Sequence, residues 1–478
     1  MSIGRGLRRV VGWTAVIILT LAGSVGCAHA QPTTRPPHAQ LLREIYQELI
    51  EIDTTHSSGD TTKAAEAMAR RLVAAGFPSH DVQVLAPAPR KGNLVARLRG
   101  NGSRKPILLL AHLDVVEAKR EDWSVDPFTL LERDGYFYGR GTTDDKAMAA
   151  IFVANLIRSK REGFVPDRDL IVALTADEEG GSHNGVVWLL ANHRSLIDAE
   201  LALNEGGGGA IKDGRHISNG VQASEKIVQS YRLEVTNRGG HSSLPVRDNA
   251  IYHLAEGLTR LAGFDFPVNL DEVGRAYFER VAALNSGPWS EDVRAVARGE
   301  RDPAVVARVA AAGPVFNSRL RTTCVATRLE AGHANNALPQ TARAIVNCRV
   351  LPGESEEQVR QTLVRVLAND KITVAPTNRF FPSPASPLTP EVMGAIEKVT
   401  ASMWPGIAVI PTMSTGATDS RYLRSAGIAA YGSSGLFGDI DDIRAHGRDE
   451  RLLVKSLYEG QEYLYRLVKL LSSRQAAD

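Results

Sequence analysis

An apolar run, Ile107-Leu108-Leu109-Leu110-Ala111, ends abruptly in His112-Leu113-Asp114, and this junction constrains the chain more than any other. The run is long enough for one strand buried on both faces. In an open α/β sheet, ligand chemistry collects beyond the carboxyl ends of the strands. A His there, with a carboxylate on the same side of an extended backbone, has the form of a metal ligand with its orienting partner. Taken singly, the pair is modest evidence, and a core His beside a surface Asp is the commoner reading. The arrangement recurs, however. Leu170–Thr175 empties into Ala176-Asp177-Glu178-Glu179-Gly180, and Leu201-Ala202-Leu203 empties into Asn204-Glu205-Gly206. Between them Gly139-Arg140-Gly141-Thr142-Thr143-Asp144-Asp145-Lys146 leads into a helical segment, Ala147 to Lys160.

Three strands thus deliver His, Glu-Glu and Glu to one sheet edge. Carboxylates packed so closely repel unless a cation lies among them. A His with several Asp and Glu, and no cysteine, suits zinc, with manganese or cobalt as stand-ins. The run Gly206–Gly209 is not a phosphate loop, since no Gly-Lys-Ser/Thr follows it.

At 478 residues the chain exceeds one ordinary core. Helical periodicity is expected over Leu41 to Asp53 and over Thr62 to Ala75, where Gly76 stops it. Val82–Leu85 and Asn93–Leu98 read as strands. Alternating strands and helices up to about residue 220 imply an α/β, doubly wound, mostly parallel sheet covered on both faces. Near residue 225 the pattern becomes that of half-solvated strands: 227–235, 322–330 and 342–350, around a long charged helical stretch from Asp271 to Ala312. That block reads as an inserted α+β domain bounded by Leu351-Pro352-Gly353. Helices over 358–368 and 390–403, a strand at 428–431 and a final helix from Arg451 to Leu471 follow. The organisation expected is a leader (1–30), a Pro-rich linker (31–39), a catalytic domain in two parts (40–222 and 352–478), and an inserted lid (223–351).

The leader has a basic stretch, Arg5 to Arg9, an apolar stretch, Val10 to Ala22, and a small-residue end. It is too short to span a bilayer and has the build of a secretory signal. Ala28-His29-Ala30 fits cleavage for soluble export, whereas Ser24-Val25-Gly26-Cys27 resembles a bacterial lipoprotein box with Cys27 as lipid anchor. Either reading places the protein in the periplasm or outside the cell, with the lipoprotein reading tethering it to a membrane. The formal charge of +2 depends on three leader arginines, and without them 53 basic residues face 54 acidic ones. Nothing here asks for nucleic acid. Cys324 and Cys348 lie in strand-like segments flanking a turn-rich stretch. A cross-strand disulfide and two buried thiols are both open readings.

The motifs His112-Leu113-Asp114, Gly139 to Asp144, Asp177-Glu178-Glu179-Gly180, Asn204-Glu205-Gly206 and Ala445-His446-Gly447, in this order, resemble those of the co-catalytic di-zinc hydrolases. That group includes aminoacylase, glutamate carboxypeptidase, carnosine dipeptidase and carboxypeptidase S. The resemblance runs from about residue 40 to 470. It implies two zinc ions per chain held by His112, Asp144, Glu179, Glu205 and His446, with Asp144 bridging and a cis peptide after it. It implies Glu178 as general base and Asp114 as acceptor of the second ring N–H of His112. By the same resemblance, His241 and Asn336 serve the oxyanion, and in dimeric relatives that His comes from the other subunit. Arg349 would pair with a substrate carboxylate, and Asp419 and Arg421 would line the cleft. Two cations sharing one water bring its pKa toward neutrality. The implied reaction is therefore attack by that hydroxide on an amide next to a free carboxylate, in a small peptide or an N-acyl amino acid. The exported setting leans toward peptides, a preference that rests on no residue. The inserted segment is long, as in carboxypeptidase S and its secreted N-acyl-amino-acid relatives; by the resemblance, a homodimer through the lid and a single chain are both open. Ala147 and Met148 depart from the Gly that relatives often carry after the Lys, and Cys348 departs from a small or acidic residue. A non-catalytic metal- or peptide-binding protein on this scaffold would have lost Glu178 or a ligand, and all are present.

Overall fold

The computed structural model describes residues 37–473. The leader, Cys27 and most of the Pro-rich linker lie outside these residues. The linker expected to reach residue 39 ends early. Helix α1 (Pro37–Glu51) begins on Pro37, whose fixed φ suits a first helical turn. It buries Leu42, Ile45, Tyr46 and Leu49 along one face. Helix α2 (Thr61–Ala74) starts where the Asp60 carboxylate accepts the backbone N–H groups of Thr62 and Lys63. Helix α3 (Lys146–Arg161) is buried nearly all round and packs against α1.

The large sheet holds β1 (Val82–Leu85), β2 (Asn93–Leu98), β3 (Ile107–His112), β6 (Leu170–Thr175), β7 (Leu201–Asn204), β8 (Gly209–Lys212) and β9 (Arg215–Glu225). Two short strands, β4 (Leu131–Arg133) and β5 (Tyr136–Tyr138), pair in a separate small sheet that a third strand completes later in the chain. In the order β6-β3-β7 the strands run parallel, with Ile107 opposite both Leu170 and Leu201. β1 and β2 add antiparallel pairings at one edge. Every residue of β3 and β6 is buried, as their unbroken apolar sequence requires. One face packs on α1, α2, α3 and the C-terminal helix Val454–Leu471. The other face packs on Gly185–Asn192 and Ser420–Ser425. The sheet is therefore doubly wound, with its central strands pointing one way.

A second, four-stranded sheet is built on β10 (Ile227–Thr236), which pairs antiparallel with β14 (Thr341–Val350). Its other members are β12 (Thr323–Ala331), outside β14, and β15 (Thr373–Pro376), outside β10. A separate ribbon joins β11 (Gly240–His241) to β13 (Ala337–Leu338). The inserted domain does not stop at residue 351. Helix Glu356–Leu367 and β15 belong to its core, because Val359, Leu363 and Leu367 bury against β10 and β14. The charged stretch after Asp271 is not one helix but three, Glu272–Leu284, Pro288–Ala297 and Pro303–Ala311, two of them opened by proline. Their shared core includes Ile410 of β16 (Ala408–Ser414), so they lean on the large sheet. β16 runs parallel to β9, β17 (Ala429–Gly432) runs parallel to β7, and β18 (Phe437–Asp439) runs parallel to β8. The last helix starts later than its periodicity suggests, since β19 (Arg451–Leu453) pairs with β5 before it. Cys324 and Cys348 face each other across β12 and β14 and form a disulfide, which decides between the two open readings. Among the described residues no helix is long and apolar enough to cross a membrane.

Candidate active site

His112 is the last residue of β3 and Glu205 follows the last residue of β7, while Glu178 and Glu179 lie just past β6. Asp144 precedes α3, and His446 lies in the loop between β18 and β19. Donor atoms of His112, Asp144 and Glu205 all lie within 4.8 Å of one another, and so do those of Asp144, Glu179 and His446. One carboxylate thus serves both groups. His112 Nε2 is 3.0 Å from Asp144 Oδ1, and His446 Nε2 is 3.1 Å from Asp144 Oδ2 and 2.8 Å from Glu179 Oε1. The Asp144–Asp145 peptide is cis, as expected.

Donors ~2.0–2.2 Å from a tetrahedral zinc ion stand roughly 3.3–3.6 Å apart, a few tenths of an ångström wider than these spacings. Simple His–carboxylate hydrogen bonds have the same lengths as those seen here. The stronger argument for cations is the charge gathered at the site. Burial raises Glu178 to about 9 and Glu179 to about 7, with Asp419 and Glu179 adding to the first and Asp144 to the second. Burial, then Asp144 and Glu178, push Glu205 well above the carboxylate range. Burial works against a charged His112, yet Asp144 and Glu205 together raise it well above its ordinary value. His446 is lifted to about 9, chiefly by its hydrogen bond to Asp144. Acids this unwilling to ionise beside one another fit two imidazoles and a cation pair as their neutralising partners.

Asp114 departs from expectation. His112 Nδ1 is 2.9 Å from the backbone carbonyl of Asp114, while the Asp114 carboxylate is 3.8 Å away. That carboxylate instead accepts the backbone N–H groups of Glu178, at 3.1 Å, and Glu179, at 2.9 Å. The main chain orients the ring, and the side chain holds the Glu-Glu turn.

A cavity of about 690 Å³ opens beside this cluster. Glu178, Glu179 and His446 line it together with Arg349 from β14. Burial lowers the pKa of Arg349, with no acid among the described residues to oppose it. The lining also includes Arg421, over the Tyr422 ring and 4.5 Å from its centroid, and Phe381, edge-on to Tyr422. Asp419 is buried behind, raised to about 7 by burial, and accepts a hydrogen bond from Asn184 at 2.6 Å. His241 and Asn336 do not line this cavity. They lie exposed on the β11–β13 ribbon, where the Ser242 N–H donates to the Asn336 carbonyl.

Sequence reasoning missed Glu450. Its carboxylate is fully buried and accepts from Arg140 Nη1 (2.6 Å) and from the backbone N–H groups of Gly141 (3.1 Å), Thr143 (2.7 Å) and Asp144 (3.3 Å). It also accepts from Thr143 Oγ1 at 2.8 Å. The one available signal was an acid four residues after His446, in a segment rich in acids.

The fold and this donor set define a metal-dependent hydrolase with an inserted lid. The chain belongs to peptidase family M20/M25/M40, whose model matches residues 108–470. It is 29% identical to human N-fatty-acyl-amino acid synthase/hydrolase PM20D1 over 77% of this chain and 74% of that protein. It is 30% identical to probable carboxypeptidase S-like 2 of Dictyostelium discoideum, over 77% and 72% respectively. The M20 family metallo-carboxypeptidase Sso-CP2 of Sulfolobus solfataricus superposes with a TM-score of 0.65. The match covers 90% of this chain and 99% of that one at 18% identity, a likeness of fold alone.

Proposed function

We propose that the protein is an exported hydrolase loaded with two zinc ions, cobalt or manganese serving as substitutes, that cleaves an amide bond beside a free carboxylate. The single observation that carries this reading is Arg349. It is a half-buried guanidinium without an acidic partner among the described residues, in the same cavity as Glu178 and the double donor cluster. An unpaired buried cation is costly, and a substrate carboxylate would relieve it with a paired, charge-assisted hydrogen bond. His112, Asp144 and Glu205 would hold one ion, and Asp144, Glu179 and His446 the other. Bound there, the ions supply Lewis acidity and acidify water. Glu178 takes the water proton and delivers it to the leaving nitrogen. Asp114 fixes Glu178 through its backbone N–H.

Peptides and N-acyl amino acids both present the required amide and carboxylate. The second class is favoured by the apolar surface that Ile227, Val228, Phe381 and Tyr422 offer around the cavity, suited to an acyl chain. The N-fatty-acyl-amino acid hydrolase relative points the same way. His241 and Asn336 lie outside their own chain's cavity, so they would serve the oxyanion from the lid of a second copy in a homodimer. Export would end in cleavage after Ala30 or in lipidation at Cys27, and the mass of the mature N-terminus separates the two.

Glu178→Gln tests the mechanism. It should keep two ions per chain while turnover falls at least ~10²-fold, the usual scale for a lost general base. A fully active variant removes Glu178 from the reaction. A panel of dipeptides and N-acyl amino acids, assayed before and after chelation and zinc return, identifies the substrate class.

A further inference from the structure

Two loops that are far apart in sequence meet at one buried ion pair. Arg140 and Glu450 are 2% and 0% exposed, and Arg140 Nη1 lies 2.6 Å from Glu450 Oε2. A second Arg140 nitrogen, Nη2, donates at 3.0 Å to the carbonyl of Gly447, the residue after His446. The four remaining donors to the Glu450 carboxylate all come from Gly141, Thr143 and Asp144. Five donors use up what a carboxylate can accept, so this side chain has no capacity left for substrate or metal. The Gly139 N–H closes on the Glu450 carbonyl at 3.1 Å. Contacts therefore form a ring, from Asp144 through its loop to Glu450, back along the chain to His446, and from His446 Nε2 to Asp144 Oδ2 at 3.1 Å.

We propose that Glu450 and Arg140 are positioning residues that fix the Asp144 loop and the His446 loop as one unit, so that both metal sites are pre-formed. This rests on the metal reading given above. Asp144 belongs to both donor groups, so a shift of its loop would weaken both ions together. A side chain that orients ligands in this way typically contributes 10–100-fold to metal affinity.

The test uses the full mature protein, stripped by chelation and titrated with zinc against a chromophoric competitor. Glu450→Gln should raise both zinc dissociation constants by about 10–100-fold with an unchanged far-ultraviolet circular dichroism spectrum. Because that variant leaves Arg140 buried without its counter-charge, a second variant removes both charges: Arg140→Met with Glu450→Gln. It should regain thermal stability but not zinc affinity. Thr143→Val, which deletes a single neutral donor, should show a smaller rise in the same direction even if the other two do not fold. Wild-type zinc affinity in Glu450→Gln overturns the proposal, as does affinity returning along with stability in the double variant. A wild-type protein that takes up no zinc refutes the metal reading instead.

Discussion

Arg349 carries a charge that no acid answers among the described residues, and its worth is measurable. Arg349→Ala should raise KM for substrates with a free carboxylate by roughly 10–100-fold, the scale of a charge-assisted hydrogen bond. It should leave kcat close to wild type and amidated substrates little affected. Equal losses on amidated substrates would make the residue structural. At this scale the sequence was informative about placement wherever a residue stands at the end of its own strand. His112, Glu179 and Glu205 needed only the apolar runs before them. His112 Nδ1 lies nearer the Asp114 carbonyl than its carboxylate, a choice that spacing alone does not make, because both belong to one residue. Glu450 was invisible, since its five donors come from residues some 300 positions earlier.

Among the elements, the turn after β7 shows how backbone packing fixes a ligand. A Cβ on Gly207 would lie 2.0 Å from the Gly432 carbonyl oxygen and 2.8 Å from that of Gly220, both main-chain atoms of neighbouring strands. Gly207→Ala should therefore cost at least the ~1–3 kcal/mol of an overpacked core and move Glu205. Gly438→Ala, where a Cβ meets nothing within 4 Å, is the control. Unfolding midpoints distinguish them, and equal values would mean that the turn yields freely. The Cys324–Cys348 bridge spans 24 residues. By loop entropy, replacing both with Ser should cost about 3 kcal/mol; an unchanged denaturant midpoint would show that sheet pairing already restrains the loop. Strand and helix types were largely legible from periodicity. The end of the inserted domain was not, because Leu351-Pro352-Gly353 has the composition of a boundary while Val359, Leu363 and Leu367 fold back onto the lid. Periodicity likewise ran through Arg451–Leu453, where pairing with β5 overrides it.

For the molecule as a whole, metal and pH should act on the same cluster. Glu179 and Glu178 have folded values of about 7 and about 9, both raised above the ordinary carboxylate range mainly by burial. The unfolded chain releases these protons first. The stability they contribute is complete below about pH 4.5 and is lost as pH climbs through 7 and then 9. Chelated protein should therefore melt at progressively lower temperature over that window relative to its zinc-loaded form. Zinc return should restore the midpoint in proportion to free ion concentration. A difference between the two forms that does not vary with pH would contradict the charge argument. The support of Asp144 has a further consequence. Tyr46 of α1 donates to the Thr142 carbonyl at 2.8 Å, and Lys146 Nζ donates to the Ile52 carbonyl at 2.8 Å. The same loop also depends on Glu450, near the other end of the chain. A variant lacking either the α1 contacts or Glu450 would leave this loop with one of its two supports, so both ends of the fold bear on where Asp144 stands.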